Sequence, residues 1–402
     1  MSKQNGWPIK QLDDICDFRG GGTPSKAEES YWKGDIPWVS PKDMKFDIIF
    51  DSIDHISAEA VKESTTSLIP KGSILIVVRS GILARTIPVA ITGRDVTINQ
   101  DIKALCPNAS IDAKYLFYFL KSRLEEMLGL ASRGATVHRI MADQIRAMYI
   151  SVPPLPEQQR IVGILDEAFA GIATAKANAE KNLRNARELF ESQLDSIFTD
   201  RTNEWMEVAL GDVCTFIGGS QPPKSVFEKH SSPDNIRLIQ IRDYKGDKHL
   251  VHIPKSLAKR FCKSDDVMIG RYGPPLFQIL RGLDGAYNVA LMKAVPDESR
   301  LTRDFLFYFL KHSTILQYVI FHSSRTAGQT GVTKETLEPY PIALPKLKEQ
   351  QAATEKIRLL EAETQRLESL YQQKLAAIDA LKKSLLHQAF SGHIERAQSP
   401  AR

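Results

Sequence analysis

The two halves of the sequence follow the same plan, and this duplication constrains the fold more than any other feature. A stretch from Trp7 to Pro24 is matched by one from Trp205 to Pro222, with an offset of 198 at both ends (205 − 7 and 222 − 24). Three further matches follow in the same order, at residues 116–121 and 306–311, 132–133 and 324–325, and 157–159 and 349–351. Solenoid repeats are about 20 to 50 residues long, so this much longer repeat indicates a duplicated domain.

The duplication predicts a molecule with approximate twofold symmetry. A DNA duplex that is read at two half-sites is the commonest target with matching symmetry. The chain has 402 residues, of which 43% are hydrophobic, and this is enough for two ordinary domains with connectors. The formal net charge of +5 and the pI of about 8.8 permit an anionic partner without demanding one.

The cysteine pattern and the start of the chain exclude several classes of protein. The four cysteines, at 16, 106, 214 and 262, show no C-x-x-C spacing, so neither a zinc site nor a disulfide framework is indicated. Cys16 and Cys214 are repeat equivalents in apolar surroundings, and we expect buried thiols there. The first residues lack an apolar signal core, and no run approaches the roughly 18 apolar residues of a membrane helix. We therefore expect a soluble, cytoplasmic protein with no membrane partner.

Each half of the chain has two unlike parts. The first part is rich in Gly, Pro and β-branched residues and predicts a mixed domain dominated by strands, with one helix around residues 112–128. The second part follows a proline-rich stretch and carries apolar residues at helical spacing. The predicted organisation is a globular domain (1–156), a long helix (157–200), a second globular domain (201–348), a second long helix (349–392) and a tail (393–402).

The two apolar stripes predict how the long helices pair. The first stripe comprises Ile161, Leu165, Ala168, Ile172, Ala175, Ala179, Leu183, Ala186, Phe190, Leu194 and Ile197, and the second comprises Ile357, Leu360, Leu367, Tyr371, Ile378, Leu381 and Leu385. At 1.5 Å per residue a helix of about 42 residues is about 60 Å long, which exceeds one domain of this size. We expect an α+β protein in which two mixed α/β domains are separated by an antiparallel coiled coil of these helices. The alternative is that each helix packs on its own globular domain.

Several motifs together resemble one known family. They are G-G-T-P (21–24), Y-W-K-G-D-I-P-W-V-S (31–40), I-N-Q (98–100), Gly134-x-Thr136, and P-L-P-E-Q-Q-R-I (154–161), which opens the first long helix. This set resembles the DNA specificity (S) subunits of type I restriction-modification enzymes, and the resemblance covers essentially the whole chain. The second half departs from the pattern, with G-G-S-Q-P for G-G-T-P, no second Y-W, and P-K-L-K-E-Q-Q before its helix.

The resemblance implies a function without catalysis by this chain. Each globular part would be a target recognition domain that reads one half of a bipartite, asymmetric site in double-stranded DNA. The two helices would separate these domains and dock two modification (methyltransferase) subunits, which bring S-adenosylmethionine. Restriction subunits would add ATP-driven translocation and Mg²⁺-dependent cleavage. The chain itself would bind no cofactor.

Polar and basic residues of the glycine-punctuated loops are the candidate DNA contacts. Arginine can fork a guanine edge and Asn or Gln an adenine edge, whereas lysines mostly bind phosphates. Arg79 and Arg271, like Arg133 and Arg325, match at an offset of 192 and are therefore favoured. The full set is Lys26, Lys42, Arg79, Ser80, Arg85, Arg133, Thr136, His138 and Arg139 in the first domain, and Gln221, Lys224, Arg242, Lys245, Arg271, Tyr272, Arg325, Gln329 and Thr330 in the second.

Two other functions stay open at this point. In one, the coiled coil makes the chain an interaction scaffold whose globular parts bind protein or carbohydrate. In the other, the chain is a self-sufficient nuclease, because Asp234 with Asp243-Tyr244-Lys245, and Asp35 with Asp43-Met44-Lys45, echo the P-D…D-x-K carboxylates that hold Mg²⁺. An amino-methyltransferase motif of the form [DNS]-P-P-[YFW] is not found in the sequence.

Overall fold

The computed structural model describes residues 3–4, 6–132, 138–199, 205–323 and 331–391. The chain divides into two compact units, which we call unit 1 (Met1–Ala179 with Lys374–Arg402) and unit 2 (Glu180–Gln373). Each unit therefore contains one globular domain and a part of both long helices. Among the described residues, none of the helices combines the length and apolar content that a membrane crossing needs.

Unit 1 is built mainly from short strands, as the sequence predicts. Its strands are β1 (Lys3–Gln4), β2 (Trp7–Gln11), β3 (Cys16–Gly20), β4 (Ile36–Val39), β5 (Ile48–Ile49), β6 (Asp54–Ile56), β7 (Ile74–Val77), β8 (Arg79–Ser80), β9 (Val89–Thr92), β10 (Thr97–Ile98), β11 (Ile102–Pro107), β12 (His138–Arg139) and β13 (Tyr149–Ser151). Its helices are α1 (Leu12–Ile15), α2 (Ala58–Glu63), α3 (Ala113–Ser122), α4 (Leu124–Gly129), α5 (Ala142–Arg146) and the start of α6 (Leu155–Thr199). The single helix expected around 112–128 is thus two helices, interrupted at Arg123.

Unit 2 repeats this plan with fewer strands. Its strands are β14 (Met206–Ala209), β15 (Cys214–Gly218), β16 (Asn235–Ile239), β17 (His252–Pro254), β18 (Phe261–Cys262), β19 (Val267–Gly270), β20 (Gln278–Leu280), β21 (Gly285–Tyr287), β22 (Leu291–Pro296) and β23 (Pro341–Leu344). Its helices are α7 (Arg303–Lys311), α8 (Ser313–Ser323), α9 (Lys334–Leu337) and the start of α10 (Leu347–Ser391).

The sheets of the two units have matching strand orders. The main sheet is β3-β11-β7-β9-β5 in unit 1 and β15-β22-β19-β20 in unit 2. A second sheet has the order β10-β4-β6 in unit 1 and β17-β16-β21-β18 in unit 2, and in both a parallel pair (β10 with β4, β21 with β16) lies beside an antiparallel strand. The duplication read from the sequence is therefore a duplication of topology, and the predicted mixed fold is confirmed.

Burial of the central strands explains their composition. The strand β7 (I-L-I-V) and its counterpart β19 (V-M-I-G) are buried along their whole length. Continuous apolar runs of this kind are typical of strands that are covered on both faces. Cys16 and Cys214 are buried, as expected, and no disulfide is formed between the described cysteines.

The long helices bury the predicted stripes. They span Leu155–Thr199 and Leu347–Ser391, where the sequence predicted 157–200 and 349–392. Every residue of the first stripe is buried or half-buried. The second stripe is wrong at one position, because Leu381 is 50% exposed.

Within each unit, α6 and α10 run antiparallel. In unit 1 the ammonium of Lys382 lies 5.1 Å from the ring centroid of Phe169, and Lys176 Nζ donates to Asp379 Oδ1 at 2.9 Å, so residue numbers rise on α6 as they fall on α10. In unit 2 Arg187 pairs with Glu368, while residues around 198 and 357 of the two helices belong to one core.

The C-terminal ends of the two helices close the two cores in the same way. The ring of Phe390 in α10 lies 5.1 Å from that of Tyr115 and 5.7 Å from that of Phe119, both in α3. In unit 2 the ring of Phe198 in α6 lies 5.2 Å from Phe305 and 5.7 Å from Phe309, both in α7. The core of unit 1 is thus completed by α10, which starts after the second globular domain. The core of unit 2 is completed by α6, which starts after the first.

Candidate nucleic-acid interface

Three of the motifs meet at one loop of unit 1. The G-G-T-P loop packs on the I-N-Q segment so closely that a Cβ on Gly21 would lie 2.1 Å from the carbonyl oxygen of Ile98. Trp38 Nε1 donates to the carbonyl of Gly22 at 2.9 Å, which ties the P-W-V-S strand to the same loop. Thr23 Oγ1 then donates to Gln100 Oε1 at 2.6 Å. Gly21 is therefore required for close backbone packing.

The strand pair β8–β12 adds the basic side chains. It places His138 opposite Ser80 and Arg139 opposite Arg79. The Arg79 Nε atom lies 3.8 Å from Asp101 Oδ1, and Asp101 directly follows Gln100. Four sequence-predicted candidates from two distant segments are thus brought together, next to the G-G-T-P and I-N-Q motifs.

This surface of unit 1 carries an unbalanced positive charge. Arg79 and Arg139 stand directly opposite each other, an arrangement that is unfavourable for the sheet itself. Asp101 pairs with Arg79, whose side chain is 57% exposed. Among the residues that the structure describes, Arg139 and Arg85 have no ion-pair partner, and both are exposed. Exposed, unpaired positive charges gain more from a nearby anion than buried or paired charges do, so this site attracts an anion.

In unit 2 the equivalent surface is built differently. Arg271 Nε donates to the carbonyl of Val332 at 2.9 Å, and its guanidinium lies 5.2 Å from the ring centroid of Tyr272. A Cβ on Gly331 would lie 2.3 Å from this ring, so Tyr272 packs directly on Gly331. Arg271 therefore binds the backbone of its own domain, and the ring of Tyr272 lies beside its guanidinium.

The hydrogen-bond register shows that Arg271 does not match Arg79. Val77 pairs with Ile102 in unit 1, and Gly270 pairs with Leu291 in unit 2, so this strand has an offset of 193. Arg271 consequently takes the place of Val78. The predicted match of Arg79 with Arg271 at an offset of 192 is wrong by one residue, because the offset changes along the chain and is 193 at this strand.

Backbone bonds on both sides confirm the shifted register. Val78 N donates to the carbonyl of Asp101 at 2.8 Å, as Arg271 N does to that of Ala290 at 2.9 Å. On the opposite side the Val78 carbonyl accepts from Ile140 N at 2.9 Å, as that of Arg271 does from Val332 N at 3.0 Å.

The remaining described candidates lie elsewhere on the two domains. Lys42 Nζ donates to Asp54 Oδ2 at 2.7 Å, and this bond raises the lysine pKa above its ordinary value. Arg242 is exposed and contacts the carbonyl of His249 at 3.4 Å. The other exposed candidates without a described contact to the β8–β12 surface or to Tyr272 are Lys26, Gln221, Lys224 and Lys245.

Five candidates lie outside the described residues. They are Arg133 and Thr136 in the first domain and Arg325, Gln329 and Thr330 in the second. The residues that flank the first gap belong to the candidate surface, because Ser132 N donates to the Arg139 carbonyl at 2.9 Å.

Two of the four aspartates of the nuclease alternative, Asp43 and Asp243, bind the local backbone. Asp43 Oδ2 accepts from the backbone N and the hydroxyl of Ser40, both at 2.8 Å, and Asp243 Oδ2 accepts from Gln240 N at 3.0 Å. Burial raises the pKa of Asp243, which weakens it as a ligand of a hard cation. Within the described ranges, no group of three His, Cys, Asp or Glu side chains could hold a metal ion.

The E-Q-Q motif has a structural role that the sequence analysis missed. Gln158, with no exposed surface, accepts from Asp112 N at 2.7 Å and donates to the carbonyls of Ser110 (3.0 Å) and Pro153 (2.8 Å). Gln350 makes the same three bonds in unit 2, to Thr302 N (2.9 Å) and to the carbonyls of Arg300 (2.8 Å) and Pro345 (3.0 Å). The signal in the sequence was a glutamine that follows a proline stretch in both copies.

Comparison with known proteins extends over both units. The chain matches the family described as "Type I restriction modification DNA specificity domain" twice, at residues 4–183 and 202–376. It is 44% identical over 192 residues to the specificity subunit of the type I restriction enzyme EcoR124I/EcoR124II from Escherichia coli, covering 47% of this chain and 48% of that protein. It is 30% identical over 275 residues to the MjaIX specificity subunit from Methanocaldococcus jannaschii, covering 60% and 63%. The chain thus spans about half to two thirds of the length of these relatives.

Solved structures share the fold over nearly the whole chain. One is a chain of a type I R-M system whose structure addresses complex assembly and conformational transition, with a TM-score of 0.80, 18% identity, and coverage of 98% of this chain and 100% of that one. Another is the HsdS subunit from Thermoanaerobacter tengcongensis, with a TM-score of 0.61, 19% identity, and coverage of 98% and 99%. At these identities the likeness establishes the fold alone.

Proposed function

The chain belongs to the type I restriction-modification DNA specificity family, and on that premise we propose that it is the subunit that selects the DNA sequence for such an enzyme. The observation that carries this proposal is the exposed surface of unit 1. There, motif residues from separate segments converge beside two exposed guanidinium groups, that of Arg79, which pairs with Asp101, and that of Arg139, which has no ion-pair partner among the described residues. Arginine presents the donor fork that matches a guanine edge in the major groove.

Each unit would read one half of a bipartite site. The duplicated topology gives each domain the same framework, and this framework carries different side chains at the candidate surface. The two halves of the site should therefore differ in sequence. The chain would act in the cytoplasm, where its DNA target is accessible.

Catalysis would belong to partner subunits. Two modification subunits would bring S-adenosylmethionine, and restriction subunits would bring ATP and Mg²⁺, whereas this chain would bind no cofactor. The repeated start of the long helices supports two docking surfaces, because Leu155 and Gln159 are exposed one helical turn apart, as are Leu347 and Gln351. A purified complex should have the mass of two modification subunits for each copy of this chain, and a mass that fits only one would exclude the second surface.

Retention of the full chain on duplex DNA tests the proposed function directly. Binding should weaken steeply with salt, because neutralised phosphates release counterions. An Arg79→Ala/Arg139→Ala variant should bind more weakly, while Arg366→Ala, which removes an exposed guanidinium from α10, is the matched control. A chain that does not bind DNA would instead fit an interaction scaffold, and cleavage of DNA by the chain alone with Mg²⁺ would indicate a nuclease.

A further inference from the structure

Three positions at the candidate surface have the same backbone setting in both units and opposite chemistry. The register defined above aligns Arg79 with Tyr272 (272 − 79 = 193) and Asp101 with Ala290 (290 − 101 = 189). Ile140 aligns with Val332 through their bonds to this strand, which places Gly331 at the position of Arg139 (331 − 139 = 192). Unit 1 thus carries Arg, Asp and Arg where unit 2 carries Tyr, Ala and Gly. We call these six residues the exchange positions.

The exchange positions contact one another within each unit. In unit 1 Asp101 lies 3.8 Å from Arg79 and offsets part of the repulsion between Arg79 and Arg139. In unit 2 the ring of Tyr272 occupies the space that any side chain at 331 would need. A change at Arg79 therefore affects Asp101 and Arg139, and a side chain at 331 requires a change at Tyr272.

The framework below the exchange positions is unchanged between the units. The backbone N of Asp101 donates to Asn99 Oδ1 at 3.0 Å, just as Ala290 N donates to Asn288 Oδ1 at 3.2 Å. Both backbones therefore tolerate either aspartate or alanine here. A change at these positions alters the exposed chemistry without a change of fold.

We propose that the exchange positions determine which base pair each unit prefers at this point of its half-site; this inference rests on the proposed function. In unit 1 the exposed guanidiniums suit the O6 and N7 acceptors of guanine, so unit 1 prefers a G·C pair. In unit 2 Arg271, which directly precedes Tyr272, is bonded to the Val332 carbonyl. Unit 2 therefore presents an aromatic face, which suits the methyl group of thymine, and it prefers an A·T pair.

Selection from a pool of randomised DNA duplexes by the full chain tests the inference. The parent chain should enrich a bipartite site with a G·C pair in one half. The variant Arg79→Tyr/Asp101→Ala/Arg139→Gly should enrich A·T at that pair and keep the other half unchanged. Its affinity for the parent site should fall by about 5- to 150-fold, which is the range expected for one lost arginine–guanine fork.

A conservative variant keeps the test decisive if the triple variant does not fold. Arg79→Lys/Arg139→Lys retains the charge but lacks the planar donor fork, so it should weaken the preference at this base pair while its affinity for unrelated DNA stays within about twofold. Arg123→Ala, which removes an exposed arginine of unit 1 that pairs with Glu126, should enrich the parent site. Enrichment of the unchanged parent motif by both exchange and lysine variants would overturn the inference. If the parent chain enriched no motif at all, the proposed function itself would fail.

Discussion

The buried side chains of Gln158 and Gln350 connect the start of each long helix to its globular domain. Replacing Gln158 with Ala would leave Asp112 N and two carbonyls without partners in a site that water does not reach. We expect a loss of about 3 kcal/mol or more from the free energy of unfolding, since each unsatisfied buried group costs about 1–3 kcal/mol. Urea denaturation followed by circular dichroism measures it. Gln159→Ala, at the exposed neighbouring position, is the control and should change stability by less than about 0.5 kcal/mol.

The buried thiols predict a pH dependence. Burial raises the pKa of Cys16 and of Cys214 to about 12, with the nearby Cys106 adding to the shift at Cys16. The folded state therefore keeps these protons where the unfolded state loses them. Stability should be complete below the ordinary thiol pKa and should fall as the pH rises from about 8.5 towards 12.

Thiol alkylation at pH 8.5 measures the same effect at each residue. Cys16 and Cys214 should react far more slowly in the native protein than in urea, whereas the half-buried Cys106 should react sooner. Equal rates for Cys16 and Cys106 in the native protein would show that Cys16 is not shielded by the fold.

At the residue scale, the sequence predicted which residues are buried or lie at the candidate surface better than it predicted which residues of the two units are equivalent. The burial of Cys16 and Cys214 and the contact among Arg79, Ser80, His138 and Arg139 concern residues that the sequence had singled out. The offset of Arg271 was wrong by one residue, because a match in letters does not fix the register of a strand when the offset changes along the chain. Whether the candidates bind DNA stays a prediction.

The ends of the long helices make the clearest predictions at the scale of elements. Replacing Phe390 with Ala would remove a ring from between Tyr115 and Phe119, and it should destabilise unit 1 by about 3–5 kcal/mol. Phe198→Ala should do the same to unit 2, because Phe198 packs on Phe305 and Phe309. Hydrogen exchange read by mass spectrometry locates the loss in one unit or the other.

The control for these substitutions is Leu381→Ala, at an exposed position of α10. It should leave exchange in both units nearly unchanged. A uniform increase of exchange across the whole chain in the Phe390 variant would contradict the assignment of that ring to the core of unit 1.

Helical periodicity predicted the elements with the strongest patterns and failed where packing decides. The stripe of α6 is buried or half-buried at every predicted position, because its 3.6-residue period leaves one solution for the apolar face. Leu381 departs because the neighbouring Lys382 packs its ammonium on Phe169 instead. The break at Arg123 between α3 and α4 contains no proline or glycine that would predict it from the sequence.

At the scale of the whole molecule, we expect the long helices to set the spacing between the two half-sites. A heptad inserted near Ala179 and another near Tyr371 should lengthen each helix by about 10 Å. Since DNA rises about 3.4 Å per base pair, the preferred spacer should lengthen by roughly three base pairs, with the half-site sequences unchanged. The added twist between the half-sites costs energy, so affinity is expected to fall even when the spacer preference moves. The affinity of the variant for duplexes with a series of spacer lengths tests this expectation. If binding stays tightest at the parent spacer length, the long helices do not set the spacing.

The duplication of the domain was evident from the sequence, whereas the composition of the candidate surface was not. Matching offsets of 198, 190 and 192 were sufficient to predict two domains of one topology. The surface joins β8 to β12 across nearly 60 residues of chain, and such non-local pairing leaves no periodic signal in either segment. Only the structure brings those segments together.

Methylome sequencing of the host, with and without this gene, tests the central claim most directly. The account predicts that one methylated motif disappears with the gene, and that this motif consists of two different short words separated by a spacer of fixed length. A methylome that does not depend on the gene would contradict the account. A lost motif that is one uninterrupted word, or a palindrome with identical halves, would contradict it as well.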